Sequence, residues 1–183
     1  MQLEIFSFMK KFVFPILAVA FIVGSAFTLR VSQNWAVADG YSIKFDAGDP
    51  SGEFSGLKGT IAFDPADLAN SKFDATIDVT TINTGNGMKN THAKSAMWLD
   101  AEKYPVIHFT SSAITKTDAG YEAKGILDFH GVQKEVALPF TFDSNVFKGS
   151  FTVNRMDYNI NTAEPNHGGS TFKVDITVPV TKL

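Results

Sequence analysis

Apolar and polar residues alternate over much of the chain after residue 40, a pattern typical of β-strands that bury one face. In segment 73–79 the polar face carries Asp74, Thr76 and Asp78. The apolar face of the same segment carries Phe73, Ala75, Ile77 and Val79. The same period of two recurs in segments 41–45, 107–110, 121–129, 136–142, 147–153 and 172–178. The pattern predicts a protein built mainly from half-buried strands.

Short turn sequences separate these segments. Residues 118–120, 130–131 and 143–145 contain the Gly, Asn and Asp residues that tight hairpins favour. Asp64-Pro65 predicts a brief helical turn over residues 66–69, because proline is favoured early in a helix. Residues 83–87 predict a loop. About eight short strands with little helix, and no internal repeat or linker, indicate a single antiparallel barrel or sandwich.

Residues 92–110 (HAKSAMWLDAEKYPVIHFT) predict a short helical turn, a kink and a strand. Asn90 or Thr91 can cap the turn, because a short polar side chain accepts from free backbone N–H groups. Tyr104-Pro105 forces an extended entry into the strand, since the residue before proline avoids the helical region. We therefore expect Trp98 to pack against the sheet just before the next strand starts.

Together with residues 125–132 (GILDFHGV) and 149–158 (GSFTVNRMDY), this stretch resembles the YceI-like family, and the likeness runs from about Trp35 to Val180. The resemblance implies an all-β, antiparallel, eight-stranded lipocalin-like barrel with one or two short helical turns. It also implies a secreted protein associated with binding long isoprenoid lipids. Two positions depart from the usual pattern: Trp98 stands where phenylalanine is commoner, and Asn159 stands where glycine is usual. The pocket of this chain can therefore differ in shape.

Residues 1–26 are typical of a secretory signal peptide. Lys10 and Lys11 precede the apolar residues 12–23, and residues 24–26 (GSA) provide the small side chains of a cleavage site. Met9 is a candidate for the true start, and the YceI-like barrel domain is predicted to span residues 35–183. A retained membrane anchor is the alternative, because the apolar run to Leu29 approaches the ~20 residues of a spanning helix. Cleavage predicts a periplasmic or secreted protein.

The chain has no cysteine, which excludes acylated-Cys anchoring, disulfides and thiolate chemistry. Its formal charge of −3 and the absence of a basic run argue against a nucleic-acid partner. The chain also lacks the polybasic stripe of a protein held by anionic lipid. Transient membrane contact and homodimer formation both stay open.

No catalytic or metal-binding spacing stands out. The four histidines, His92, His108, His130 and His167, form neither an HxH nor an HExxH pattern. There is no G-x-S-x-G elbow, and residues 85–87 lack the Lys-Ser/Thr and the helix that would make a phosphate loop. We therefore expect a non-enzymatic protein with no metal and no cofactor.

Arg155 lies at the end of an apolar segment and has two interpretations. It can form a salt bridge with Asp157 or another carboxylate, which is the commoner role. It can also anchor a pyrophosphate or quinone head group near a barrel mouth, since guanidinium pairs well with phosphate oxygens. Lys89 and Lys94 are weaker candidates for the second role. The irregular residues 159–171 can serve as a simple connection or as a lid over the pocket.

Seventeen phenylalanines raise the question of what fills the barrel. Large rings beside glycine and alanine can interlock into a solid core or leave a channel. The family resemblance favours a channel that binds a quinone or polyprenyl-type lipid for transport or storage. The alternative is a stress-related or interaction protein with a solid barrel that acts through its surface loops. Besides Arg155, the predicted ligand-binding residues are Phe73, Ile77, Tyr121, Leu127, Phe129, Phe140, Phe142, Phe151 and Phe172.

Overall fold

The computed structural model describes residues 33–164 and 169–183. The predicted signal peptide, its cleavage site, the Met9 start and His167 lie outside the described residues, as does part of the candidate lid. Among the described residues, no helix is long and apolar enough to cross a membrane.

Ten strands make up most of the described chain, and every pairing between them is antiparallel. The strands are β1 (Asn34–Val37), β2 (Ser42–Asp46), β3 (Ser51–Phe54), β4 (Lys58–Ala62), β5 (Lys72–Asp78), β6 (Val106–Thr117), β7 (Gly120–Phe129), β8 (Val132–Asp143), β9 (Val146–Asn154) and β10 (Thr171–Lys182). Strands β4 to β10 pair with one another in chain order, and β1 pairs with both β4 and β10, which closes the ring. β2 and β3 are not part of this ring of eight strands. The result is a closed eight-stranded barrel, which confirms the predicted fold class.

The barrel is less regular where β2 and β3 lie. β1 and β2 follow one another along the same edge of β10, with Val37 opposite Val180 and Ser42 opposite Thr177. β4 pairs with β5, whereas β3 meets the chain after β5 at one bridge, between Glu53 and Asn83. Tyr41 fixes the bend between β3 and β4, because its hydroxyl accepts from the backbone N–H groups of residues 56 and 57. The hairpin of β2 and β3 therefore diverges from β5 and leaves this end of the barrel open.

The predicted turns are confirmed by their backbone angles. Gly120 has a φ of 140°, while His130 and Gly131 have φ of 54° and 72°. Ser144 and Asn145 also have positive φ, at 50° and 62°. Two successive positive φ angles make the turn whose twist matches that of paired strands. These turns set the register of strands β6 to β9.

The helix begins earlier than the sequence indicated. α1 (Gly87–Lys94) is capped by Asn86, whose side chain accepts from the backbone N–H groups of Met88 and Lys89. The prediction that Asn90 or Thr91 caps it is wrong. Asn90 lies inside the helix, and its side-chain oxygen accepts from the Thr84 backbone N–H and hydroxyl. The following strand starts at Val106, directly after Pro105, as predicted.

One half of the barrel interior is filled by aromatic rings. Phe63 is fully buried, and five ring centroids lie 5.1–6.1 Å from its own. We call this group of six the aromatic plug: Phe63, Phe73, Tyr121, Phe140, Phe142 and Phe147. Trp35 packs on the far side, 5.2 Å from Phe142, and donates its indole N–H to the carbonyl of Phe63 at 2.8 Å. Most ring pairs are edge-to-face, the arrangement that aromatic quadrupoles favour.

Candidate functional site

The other half of the barrel encloses an inner cavity of about 180 Å³. Inward-facing residues of β5 to β10 line its walls, because alternate side chains on every strand point into a barrel. Ile43, Phe45 and Phe54 from the diverging hairpin of β2 and β3 also line it, as do Leu57 and Ile61 at β4. The barrel is therefore neither solid nor wholly hollow: one half is filled and one half contains apolar space.

An outer cavity of about 390 Å³ adjoins the inner one. Four rings line both cavities: Phe45, Phe54, Phe129 and Phe172. The outer cavity lies between the turn after β2 and α1, and the side chains of Met88, Lys89 and His92 face it from the helix side. Because they share these four wall residues, the two cavities adjoin one another, the outer one at the mouth of the barrel and the inner one next to the aromatic plug.

Polar side chains occur at the mouth, in the lining of the outer cavity. Lys89 of α1 forms an ion pair with Asp49 of the turn after β2, which joins the two sides of the mouth. The Trp98 indole N–H donates to Nε2 of His92 at 2.8 Å. The mouth thus offers a cation, a carboxylate and an imidazole beside an almost entirely apolar inner cavity.

Arg155 is buried beneath the mouth, with 3% of its surface exposed. Its guanidinium donates to four backbone carbonyls at 2.7–2.8 Å, those of Ile160, Asn161, Glu164 and Gly169. Its guanidinium carbon also lies 5.4 Å from the centroid of the Trp98 ring. Asp157, the partner considered from sequence, instead pairs with Lys134 at 3.2 Å. Arg155 therefore fixes the irregular segment after β9 from inside, and it also lines the outer cavity.

Tyr158 lies in the same segment, in a buried cluster with Leu127, Phe129 and Ile160. Burial, together with the nearby negative charge of Asp157, raises the pKa of its phenol above the ordinary value of 10.0. Its backbone carbonyl lies 3.0 Å from Nδ1 of His130, which connects the segment to the turn between β7 and β8.

The structure brings together most of the residues that the sequence indicated. Seven of them line the inner cavity, namely Phe73, Ile77, Leu127, Phe129, Phe140, Phe151 and Phe172. Arg155 lines the outer cavity. Tyr121 and Phe142 belong to the aromatic plug, and the lining of neither cavity includes them. Lys94 is likewise absent from both linings.

Sequence reasoning missed part of the mouth. Phe54 ends a four-residue strand that contains a glycine, and this strand is too short for alternation to be recognised. Met88 and His92 reach the outer cavity because α1 starts at Gly87, whereas the sequence predicts a helical turn only from residue 92. A signal was present in the sequence, since Asn86 precedes a run of eight residues without proline.

Ionisable side chains elsewhere form local pairs. His108 on β6 lies 2.8 Å from Asp74 on β5, on the outer face predicted from the alternation. Within residues 33–164 and 169–183, no three His, Asp or Glu side chains come close enough to hold a metal ion.

Comparison with protein families gives a match to the YceI-like domain over residues 28–181. The protein called YceI from Escherichia coli O17:K52:H18 is 29% identical over 139 residues, which cover 70% of this chain and 71% of that protein.

Two solved structures have the same fold. BcnA of Burkholderia cenocepacia superposes with a TM-score of 0.72 at 26% identity, covering 80% of this chain and 99% of that one. A polyisoprenoid binding domain from Saccharophagus degradans, implicated in plant cell wall breakdown, superposes with a TM-score of 0.59 at 15% identity, covering 84% and 100%.

Proposed function

The chain belongs to the YceI-like family, and we propose from this premise that it binds an isoprenoid lipid of the quinone or polyprenyl type inside its barrel. The observation that carries the proposal is the pair of adjoining cavities, which share four phenylalanines as wall residues and extend from the mouth to an inner cavity with an almost entirely apolar lining. The Saccharophagus degradans domain, described as polyisoprenoid binding, has the same barrel and supports this class of ligand.

The energetics of such a cavity suit a hydrocarbon chain. Each CH₂ group removed from water contributes roughly 0.8 kcal/mol, so several isoprene units need few polar contacts for useful affinity. An apolar cavity of this kind also gives water few hydrogen-bond partners. The hydrocarbon would occupy the inner cavity, and the polar end would stay at the mouth near Lys89 and His92.

The proposed role is non-enzymatic binding, with transport or storage of the lipid in the periplasm or outside the cell. The signal-like residues 1–26 are consistent with export. Intact-mass measurement of the protein purified from its own cell envelope tests this part. Loss of residues 1–26 supports export by cleavage, while retention of the apolar segment would contradict it and favour an anchor.

Native mass spectrometry of detergent-free protein, followed by solvent extraction, tests the binding itself. We expect a stoichiometric adduct that extraction identifies as an isoprenoid, or an adduct that forms after incubation with a quinone or a prenyl alcohol. A mass that stays equal to that of the bare chain under both conditions contradicts the proposal.

Adjacent residues on β7 provide a matched pair of variants. Leu127 lines the inner cavity and is 6% exposed, whereas its neighbour Ile126 points outward and is 40% exposed. We expect Leu127→Asp to lose the adduct and Ile126→Asp to keep it. Circular dichroism establishes that each variant is folded before binding is compared. Retention of lipid by a folded Leu127→Asp protein would count against the barrel interior as the binding site.

The rival proposal is an interaction or stress-related protein that acts through its surface loops. This rival proposal assumes a barrel filled by side chains. The inner cavity argues against a filled interior in the half of the barrel next to the mouth. Variants of exposed loop residues that abolish a cellular phenotype, together with full activity of Leu127→Asp, would favour it.

A further inference from the structure

The inner cavity ends on three rings that also belong to the aromatic plug: Phe73, Phe140 and Phe147. Their centroids lie 5.2–5.9 Å from one another, so they form a closed floor. Phe63 packs directly behind all three and is fully buried. The floor is therefore backed by a second layer of rings, which lie in the way of a ligand that extends from the inner cavity.

The strands fix the distance from this floor to the mouth. On β10, Phe172 lines both cavities and marks the mouth end, while Val178 packs in the filled half and marks the floor. Six residue steps separate them, roughly 20 Å along a strand and about 15 Å along a barrel axis inclined to the strands.

This depth can be compared with the length of an isoprenoid chain. Three backbone bonds of an extended chain span about 3.5 Å, so the four chain bonds of an isoprene unit cover roughly 4–5 Å. The inner cavity can then hold about three extended isoprene units before the chain meets the floor.

We infer that the aromatic plug is a stop that limits the length of hydrocarbon chain the barrel can enclose. The inference rests on the proposed function and refines it. The enclosed ligand is a short isoprenoid tail, and the carbons of a longer chain remain in the outer cavity or outside the protein. Units that extend beyond the outer cavity then add little affinity, because they bury little further surface.

Competition binding with a series of prenyl alcohols tests the stop. Farnesol, geranylgeraniol and solanesol have increasing chain length, and native mass spectrometry of the full chain measures the fraction bound to each. For the wild-type protein we expect affinity to level off, with solanesol binding within about twofold of geranylgeraniol.

Phe147→Ala removes one ring of the floor and opens space toward Phe142, the plug ring nearest to it at 4.5 Å. We expect the ratio of solanesol to farnesol affinity to rise at least about tenfold in this variant. Phe151→Ala is the matched control, because Phe151 lies on the same face of β9 but lines the side wall of the cavity. That ratio should be unchanged in the control.

Ala75→Phe tests the same stop by adding a ring to the cavity instead of removing one. If Phe147→Ala does not fold, this variant provides the test of the stop. Ala75 lines the inner cavity one inward position from Phe73, so a ring there raises the floor. We expect geranylgeraniol to lose at least about tenfold in affinity relative to farnesol. Unchanged ratios in the folded variants would overturn the stop and leave lipid binding intact. Failure of the wild-type protein to bind any of the alcohols would overturn both proposals.

Discussion

At the scale of single residues, Arg155 organises the mouth from within. A buried guanidinium is stable only when its N–H groups are satisfied, and here backbone carbonyls of the segment after β9 satisfy them. We expect Arg155→Met to lower the free energy of unfolding by about 3 kcal/mol, because several buried carbonyls lose a charged donor. Urea unfolding monitored by tryptophan fluorescence measures this change.

Lys134→Met is the control for that prediction. Lys134 forms an exposed pair with Asp157 in the same region, and exposed pairs contribute little, so its loss should cost less than about 1 kcal/mol. Equal losses in the two variants would contradict the special role of Arg155. Arg155→Lys should resemble Arg155→Met, because a single ammonium group cannot reproduce the planar fork that reaches several carbonyls.

Tyr158 gives the protein a predictable response to alkaline pH. Its pKa is raised in the folded state, mainly by burial, so folding favours the protonated phenol. Below about pH 10 the phenol is protonated in both states and has no effect on the pH dependence. As pH rises from the unfolded-state pKa toward the folded-state pKa, the unfolded chain loses this proton first and stability falls.

We therefore expect the wild-type protein to lose stability more steeply above about pH 10 than Tyr158→Phe does. Urea midpoints measured at a series of pH values for the two proteins isolate this contribution, because the other tyrosines are common to both. Parallel curves would contradict it.

At the scale of elements, α1 depends on the cap at its N-terminal end. It contains no fully buried residue, and the Asn86 side chain satisfies its first free N–H groups. We expect Asn86→Ala to destabilise the helix locally by about 1 kcal/mol. Hydrogen exchange should show faster exchange of the α1 amides, while the barrel strands exchange as in the wild type.

Thr91→Ala is the matched control inside the same helix. Thr91 bonds back to the Gly87 carbonyl at 3.1 Å, a contact that competes with regular helix geometry, and alanine is the better helix former. Its α1 amides should exchange no faster than those of the wild type. Faster exchange in both variants would mean that side-chain contacts, rather than the cap, hold the helix.

The elements also show what the sequence could and could not predict. Alternation identified the long strands, because a barrel wall buries every second residue, and the inward faces of segments 136–142 and 147–153 were assigned correctly. It could not separate cavity-lining rings from packed ones. Phe140 and Phe142 share one strand face, yet only Phe140 borders the cavity. That difference depends on rings from distant strands, such as Phe63, and not on local pattern.

At the scale of the whole molecule, the barrel divides its interior between stability and binding. In the filled half, rings pack against rings, which is the condition for strong dispersion and hydrophobic stabilisation. In the hollow half, apolar side chains border empty space and forfeit part of those contacts. The filled half can thus stabilise a barrel without disulfides while the other half stays open.

This division predicts unequal costs for the same substitution in the two halves. Phe63→Ala removes a fully buried ring with five aromatic neighbours, and we expect it to lower the free energy of unfolding by about 4 kcal/mol or to prevent folding. Phe151→Ala removes a partly buried ring that borders the cavity, and we expect a cost of about 1–2 kcal/mol, because less contact is lost there.

Urea unfolding of the lipid-free proteins measures both costs, and a saturating prenyl alcohol then separates the two roles. A ligand stabilises the folded state in proportion to its affinity, so the shift in midpoint reports binding by the folded protein. We expect that shift to shrink in Phe151→Ala, whose lost ring borders the ligand. It should persist in Phe63→Leu, a milder change in the filled half that leaves the cavity lining intact. Equal losses of unfolding free energy in Phe63→Ala and Phe151→Ala would show that the two halves of the barrel share one role. Equal ligand-induced shifts of the urea midpoint in Phe151→Ala and Phe63→Leu would show the same.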